Sequence, residues 1–268
     1  MLKRFLTLSV LALVMLGVNS CSNKQDEPNF TQGLSLDVQQ KIQNLGFNAD
    51  NAFAADGGYI VEGDIFLTDK DLNGPEEKLP SLIVGEEEQY HTFNLVTGLP
   101  RTIVVTTSGN NITQRLSDGI NGAIARYNAE NLQLTFVRGG SSGGGNINIR
   151  VVNTGQYIAS AGFPSGGNPY PEIKYARNYN NYALGFVTTV IAHEMGHCIG
   201  YRHTDYMNRS YSCGSGGNEG QSNTGVGAVH ISGTPTGPDP NSWMLACLSS
   251  TTDRPFNNND KTALSYLY

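Results

Sequence analysis

Five histidines occur in the 268 residues, and three of them fall within the fourteen-residue stretch AHEMGHCIGYRHTD, residues 192–205. His193 and His197 are four positions apart. On a helix that spacing stacks two imidazoles on one face, about one turn apart. Two such nitrogens can reach one zinc ion at about 2.0–2.1 Å. Glu194 is one step round the helix, close enough to act on a water at the metal without being a ligand.

His203 follows His193 by ten residues. On an unbroken helix it would lie about 15 Å further along the axis, out of reach of the same ion. Gly200 supplies the break, because glycine takes the left-handed conformation that ends helices. The chain can then double back and bring in His203 as a third ligand. Three neutral imidazoles leave one position open on a single catalytic zinc. Such an ion lowers the pKa of a water it holds from about 15.7 to about 7. In this reading Glu194 takes the proton and returns it to the leaving amine, while the ion stabilises the oxyanion. Nothing in the sequence assigns a structural calcium site.

The pattern H-E-x-x-H-x-x-G-x-x-H resembles that of the metzincin zinc endopeptidases. Together with SWMLAC (242–247) and the ending KTALSYLY, it is most similar to the dual-action HEIGH metallopeptidases, over roughly 90 to 268. The resemblance implies an α+β, metzincin-like fold: a twisted mixed sheet, an active-site helix, and an irregular C-terminal subdomain ending in a helix. It also implies a protein or peptide substrate, and a methionine turn beneath the zinc. Met244 is the candidate for that turn, its thioether forming a polarizable floor; a plain core methionine is the alternative. No tyrosine closely follows Met244, so an extra tyrosine ligand of the astacin kind is not expected. Asp205 is either a hydrogen-bond partner behind a ligand or a surface carboxylate.

The elements that must position these residues can be read from periodicity. A short helix is expected at 36–45 and one strand at 57–68. A charged linker interrupted by Gly and Pro follows at 69–89. A strand is expected at 101–107, and an amphipathic helix at 111–131 with Asn111 as its cap. Strands follow at 132–137 and 147–152, joined by a glycine-rich turn. PEIKYA (171–176) reads as a further strand at an edge. The stretch 161–176 either offers that edge to an extended substrate or is a surface loop. The active-site helix spans 185–199, residues 200–258 are loop-rich, and a last helix is capped by Asp260.

VEGDI (61–65) resembles the short motif in astacin pro-segments whose aspartate caps the zinc. Asp64 in the open position would keep the enzyme latent until the linker is cut; a strand-end or turn residue is the alternative.

The N-terminus places Lys3 and Arg4 before an apolar run to Val18, then Cys21, which is the layout of a secretory signal. The apolar run is short for a membrane span. It resembles a bacterial lipoprotein signal with Cys21 as the acylated residue, although Asn19 is unusual there and cleavage after Ser20 is the alternative. The expected organisation is a signal at 1–21, a tether and pro-segment at 22–90, and a catalytic domain at 91–268. The mature protein would then be exported and anchored by its acyl chain in the lipid bilayer of the bacterial envelope, at the outer membrane or cell surface. Losing Lys3 and Arg4 takes the net charge from −6 to −8, and with no basic patch nucleic acid is excluded as a partner. Export makes a disulfide plausible, with Cys213–Cys247 the chosen pair and three free thiols, Cys198 included, the alternative. A surface binding module that keeps the zinc scaffold without cleaving, and a structural surface protein, are the competing classes.

Overall fold

The computed structural model describes residues 33–74, 89–219, 225–235 and 237–268. Cys21 and most of the expected linker lie outside these residues. Among the described residues, no helix is long and apolar enough to cross a membrane.

The first unit is α1 (Leu36–Asn44), β1 (Phe53–Ala55), β2 (Gly58–Val61), β3 (Ile65–Thr68) and α2 (Asp69–Leu72). Residues 57–68 are therefore a hairpin and not one strand. The run breaks where Glu62 and Gly63 both take positive φ, at 56° and 94°. The residues of VEGDI thus span a turn, with Asp64 at its end. The expected linker starts with α2, because Thr68 and Asp71 form a reciprocal capping box.

The second unit begins with β4 (Tyr90–His91) and β5 (Arg101–Gly109), followed by α3 (Gln114–Asn128), β6 (Leu134–Arg138), β7 (Ile147–Val152), β8 (Ala159–Ala161) and β9 (Glu172–Ala176). After a 3-10 turn at Arg177–Tyr179 come α4 (Leu184–Ile199), α5 (Ser210–Cys213), β10 (Val229–His230) and α6 (Asn258–Leu267). Thr113, not Asn111, caps α3, accepting from the Leu116 amide, while Asn111 sits in the left-handed region at φ 65°. In the same way Asn257 caps α6 and Asp260 closes its capping box from the third helical position.

Eight strands form one mixed sheet in the order β1-β2-β3-β8-β9-β7-β5-β6. Strands β9, β7, β5 and β6 run parallel, and β8 is antiparallel to β9. The expectation of an edge strand at 171–176 is corrected here: β9 is hydrogen-bonded on both sides, by β7 and β8, so 161–176 offers no free edge through it. The N-terminal hairpin joins the same sheet, with β3 parallel to β8 through Ile65 opposite Ala161.

The main core packs α3 and α4 against β5, β6, β7 and β9, with Ile103, Ile120, Ile149, Ile191 and Trp243 fully or almost fully buried. Fourteen of the sixteen residues of α4 are buried, so this helix is covered on nearly all sides and holds His193, Glu194 and His197 inside the molecule. A second cluster holds Ile42, Phe47 and Leu67 of the N-terminal unit against Phe163 and Val226 of the rest.

Candidate metal centre

Helix α4 carries His193 and His197, and its end is set by Gly200 at φ 112°. A Cβ there would lie 2.7 Å from Leu95 Cδ2 and 2.9 Å from the Asn94 carbonyl oxygen, so both the conformation and the space demand glycine. The end of the helix is also held by the last residue of the chain. The Tyr268 hydroxyl donates to the carbonyl of Ile199 and accepts from the Val96 amide at 3.2 Å.

Beyond Gly200 the chain turns back, and His203 faces the two helical rings. Its Nε2 lies 3.2 Å from Nε2 of His197 and 3.3 Å from Nε2 of His193. Asp64 Oδ2 completes the group at 3.3 Å from His203 Nε2 and 3.5 Å from His193 Nε2. All four donors lie within 4.8 Å of one another.

The other nitrogen of each ring is committed elsewhere. His193 Nδ1 bonds the Trp243 carbonyl at 2.9 Å, and His197 Nδ1 bonds the Tyr201 carbonyl at 2.8 Å. His203 Nδ1 bonds Glu219 Oε1 at 2.7 Å. Each of these partners is an acceptor, so each Nδ1 carries the hydrogen and each Nε2 presents a lone pair. Three lone pairs and a carboxylate oxygen then converge with no hydrogen between them. That arrangement suits a cation. Ligand bonds of about 2.0–2.1 Å in a tetrahedron correspond to nitrogen separations of about 3.3–3.4 Å, in line with the spacing of His203 from the other two rings.

Charge in the metal-free site follows the same logic. Burial and the neighbouring His193 and His203 hold the His197 ring well below its ordinary pKa. Burial acts the same way on His203, but Glu219 and Asp64 outweigh it and push its pKa well up. Asp64 is the mirror case: burial favours its neutral form, and His203 and His193 overcome that to hold it well below the usual range.

Glu194 is 2% exposed and its Oε2 has no hydrogen-bond partner among the described residues. Burial, then the Asp64 charge, push its pKa well up, the direction a general base near neutral pH requires. A cavity of about 210 Å³ opens beside it, lined by Asp64, His193, Glu194, Tyr157, Val190 and Leu248 among others.

Met244 is fully buried. A Cβ added to Gly196 would lie 2.6 Å from its Sδ, so glycine at 196 lets the thioether press on the backbone between the two helical histidines. The turn is anchored by Asp260, which accepts from the Trp243 amide at 3.3 Å and from Gln89 Nε2 at 2.7 Å. Asp205 does not back a ligand. It accepts from Ser212 Oγ at 2.5 Å and from the Ala246 amide at 3.0 Å, tying the loop after His203 to the segment after Met244. Cys213 and Cys247 form a disulfide between the same two segments, and Cys198 is a buried free thiol.

Sequence reasoning missed the partner of His203. Glu219 is fully buried at the end of an irregular, glycine-rich stretch. It lies 3.6 Å from Arg202 Nη2 and from Arg209 Nε as well as bonding His203. Glu62 joins this group, with its Oε2 3.8 Å from Arg202 Nη2 and its main-chain carbonyl accepting from Arg209. Burial and the nearby Glu219 push the Glu62 carboxyl up, against the pull of Arg202. No fixed spacing marks Glu219; a single carboxylate in a glycine-rich loop after the third histidine is the only hint.

A comparison with curated proteins found no match. Among solved structures, one described as the structure of myroilysin is 14% identical with a TM-score of 0.33, covering 41% of this chain and 45% of that one. A second, the crystal structure of myroilysin, is 16% identical with a TM-score of 0.32, covering 41% and 48%. The chain thus spans less than half the length of the solved structures it matches. A family model described as the dual-action HEIGH metallopeptidase matches residues 59–268. The match starts well before residue 90 and takes in the Asp64 turn as well as the three histidines. The family's description calls for a metal ion, and the donor set described above suits one. By a match that covers most of its length, the chain belongs to the dual-action HEIGH metallopeptidase family.

Proposed function

We propose that this protein is an exported, lipid-anchored zinc endopeptidase made in a latent form. Three convergent Nε2 atoms closed off by the Asp64 carboxylate are the observation that carries the reading. His193, His197 and His203 hold the ion. When bound, zinc supplies Lewis acidity toward the scissile carbonyl and toward a water. Glu194 accepts that water's proton at Oε2 and delivers it to the leaving amine. Trp243, Tyr201 and Glu219 hold the rings in one tautomer throughout.

Asp64 occupies the position that the water and the substrate carbonyl need, which accounts for latency. The Ala161 amide donates to the Asp64 carbonyl at 3.0 Å, so the N-terminal segment also covers β8 next to the site. Once that segment leaves, β8 gains the free edge that β9 lacks, and an extended peptide can add there as a strand. Export is supported by the Cys213–Cys247 disulfide, which needs an oxidising compartment. Lipidation rests on Cys21 and its preceding apolar run.

The test is zinc content and peptide cleavage of wild type and Glu194→Gln, each before and after proteolysis in residues 75–88. Both proteins should hold one zinc, and only processed wild type should cleave, with the variant down by about 10²–10⁴-fold. A variant as active as wild type rules out Glu194 as the base. Cleavage by neither protein favours a binding module.

A further inference from the structure

We propose that the pocket now filled by Glu62 is a substrate subsite for an acidic side chain. This rests on the reading above, in which the turn Glu62-Gly63-Asp64 lies in the path of the substrate.

Arg202 directly precedes the third histidine, and its side chain is 0% exposed. Its Nη1 donates to the Val226 carbonyl at 2.7 Å, and its guanidinium lies 4.3 Å from the centre of the Phe47 ring. Its Nε and Nη2 have no hydrogen-bond partner among the described residues. The two carboxylates nearest Nη2, Glu219 at 3.6 Å and Glu62 at 3.8 Å, both stand beyond hydrogen-bond length. A buried guanidinium with unpaired N–H groups is costly, and its fork geometry matches a carboxylate.

Glu219 is held by His203 Nδ1 through Oε1, and its Oε2 stays 3.6 Å from Arg202 Nη2, beyond hydrogen-bond length. Glu62 is held back as well. Its backbone is in the left-handed region at φ 56°, and its Oε1 accepts from the Asn48 amide at 3.2 Å. When the N-terminal segment leaves, Phe47 and Glu62 go with it. Arg202 and Arg209 then face the single carboxylate of Glu219, an excess of one positive charge in a recess beside the metal. A peptide carboxylate supplies a second negative charge for the two guanidinium groups. Arg209 donates to the Glu62 main-chain carbonyl, a contact that any residue can make, so Arg202 is the group that reads the side chain. Glu62 is two residues from Asp64, which puts the acid within about two or three residues of the scissile bond.

The experiment uses zinc-loaded full-length protein cut within residues 75–88 and freed of the N-terminal piece in high salt, its departure checked by mass. It is given a peptide pool, then matched pairs that differ only in Glu against Gln at the enriched position. We expect Asp or Glu to be enriched at one fixed position near the cleaved bond. The acid-to-amide change should lower kcat/KM at least tenfold, and Arg202→Met should bring the Glu-to-Gln ratio of kcat/KM close to one. Should Arg202→Met fail to fold, the wild-type Glu/Gln ratio stands as the test by itself. Cleavage with no acidic preference overturns the subsite and leaves the peptidase reading intact. Absence of all cleavage overturns the peptidase reading and the subsite with it.

Discussion

Asp64 Oδ2 lies 3.3 Å from Nε2 of His203, although one sits in the turn between β2 and β3 and the other in the loop after α4, far apart in sequence. The contact closes the metal site with a group from the N-terminal hairpin. Asp64→Ala removes the carboxylate and leaves the hairpin in place. We expect the unprocessed variant to cleave peptides at least tenfold faster than unprocessed wild type. Equal rates would show that Asp64 does not silence the enzyme.

Glu219 fixes the His203 ring from behind at 2.7 Å. Loss of a carboxylate that orients a ligand histidine typically costs 10–100-fold in metal affinity. Glu219→Ala should weaken zinc binding by about that factor in chelator competition. Glu219→Gln keeps an acceptor for Nδ1 and should lose less. Unchanged affinity in both variants would mean that His203 is held by the backbone alone.

Gly196 gives Met244 its place. A methyl group at 196 would meet Sδ at 2.6 Å and Trp243 Nε1 at 3.2 Å. Overpacking of this kind costs about 1–3 kcal/mol. Gly196→Ala should lower the thermal midpoint by several degrees and reduce zinc retention. Met244→Leu, close in volume, should cost less than about 1.5 kcal/mol. A neutral Gly196→Ala would show that the turn can shift away.

Asp260 titrates where stability can be followed. Burial raises its pKa from 3.8 to about 7, against the hydrogen bonds from Asn257, Ser242 and Trp243 that favour the ionised form. A carboxyl raised on folding contributes stability that is complete below its unfolded pKa and is lost as pH rises through the folded one. The window is therefore about pH 4 to 7. Over it, wild type should lose stability relative to Asp260→Asn, by a few kcal/mol at most. Urea unfolding at pH 4.5 and 7.5, with both proteins metal-free, measures this. Parallel pH dependences would mean that Asp260 stays ionised throughout.

Periodicity located α3, α4, β5 and β7 to within a few residues, because buried faces repeat at 3.6 or 2 positions whatever their partners. It failed at 57–68, where the apolar runs on either side of Glu62-Gly63-Asp64 belong to two strands, joined by a turn at which Glu62 and Gly63 take positive φ. It also misplaced β9, since a pattern of buried residues cannot show which neighbours a strand pairs with. Cap positions slipped by two or three residues at α3 and α6, where several Asn, Thr and Asp side chains compete for the same amides.

By itself the sequence determined a chemistry. Two histidines one helical turn apart, a carboxylate beside the first, a glycine that must end the helix and a third histidine just beyond it are local facts, set by backbone geometry within eleven residues. Tertiary structure decided what surrounds that chemistry. Glu219 behind His203, Met244 beneath Gly196, Asp64 above the rings and Glu62 beside Arg202 all come from segments remote in the chain. The physical reason is that electrostatic and packing contacts depend on distance in space. Only the folding of the hairpin and the C-terminal loops onto α4 brings those distances down to bonding range.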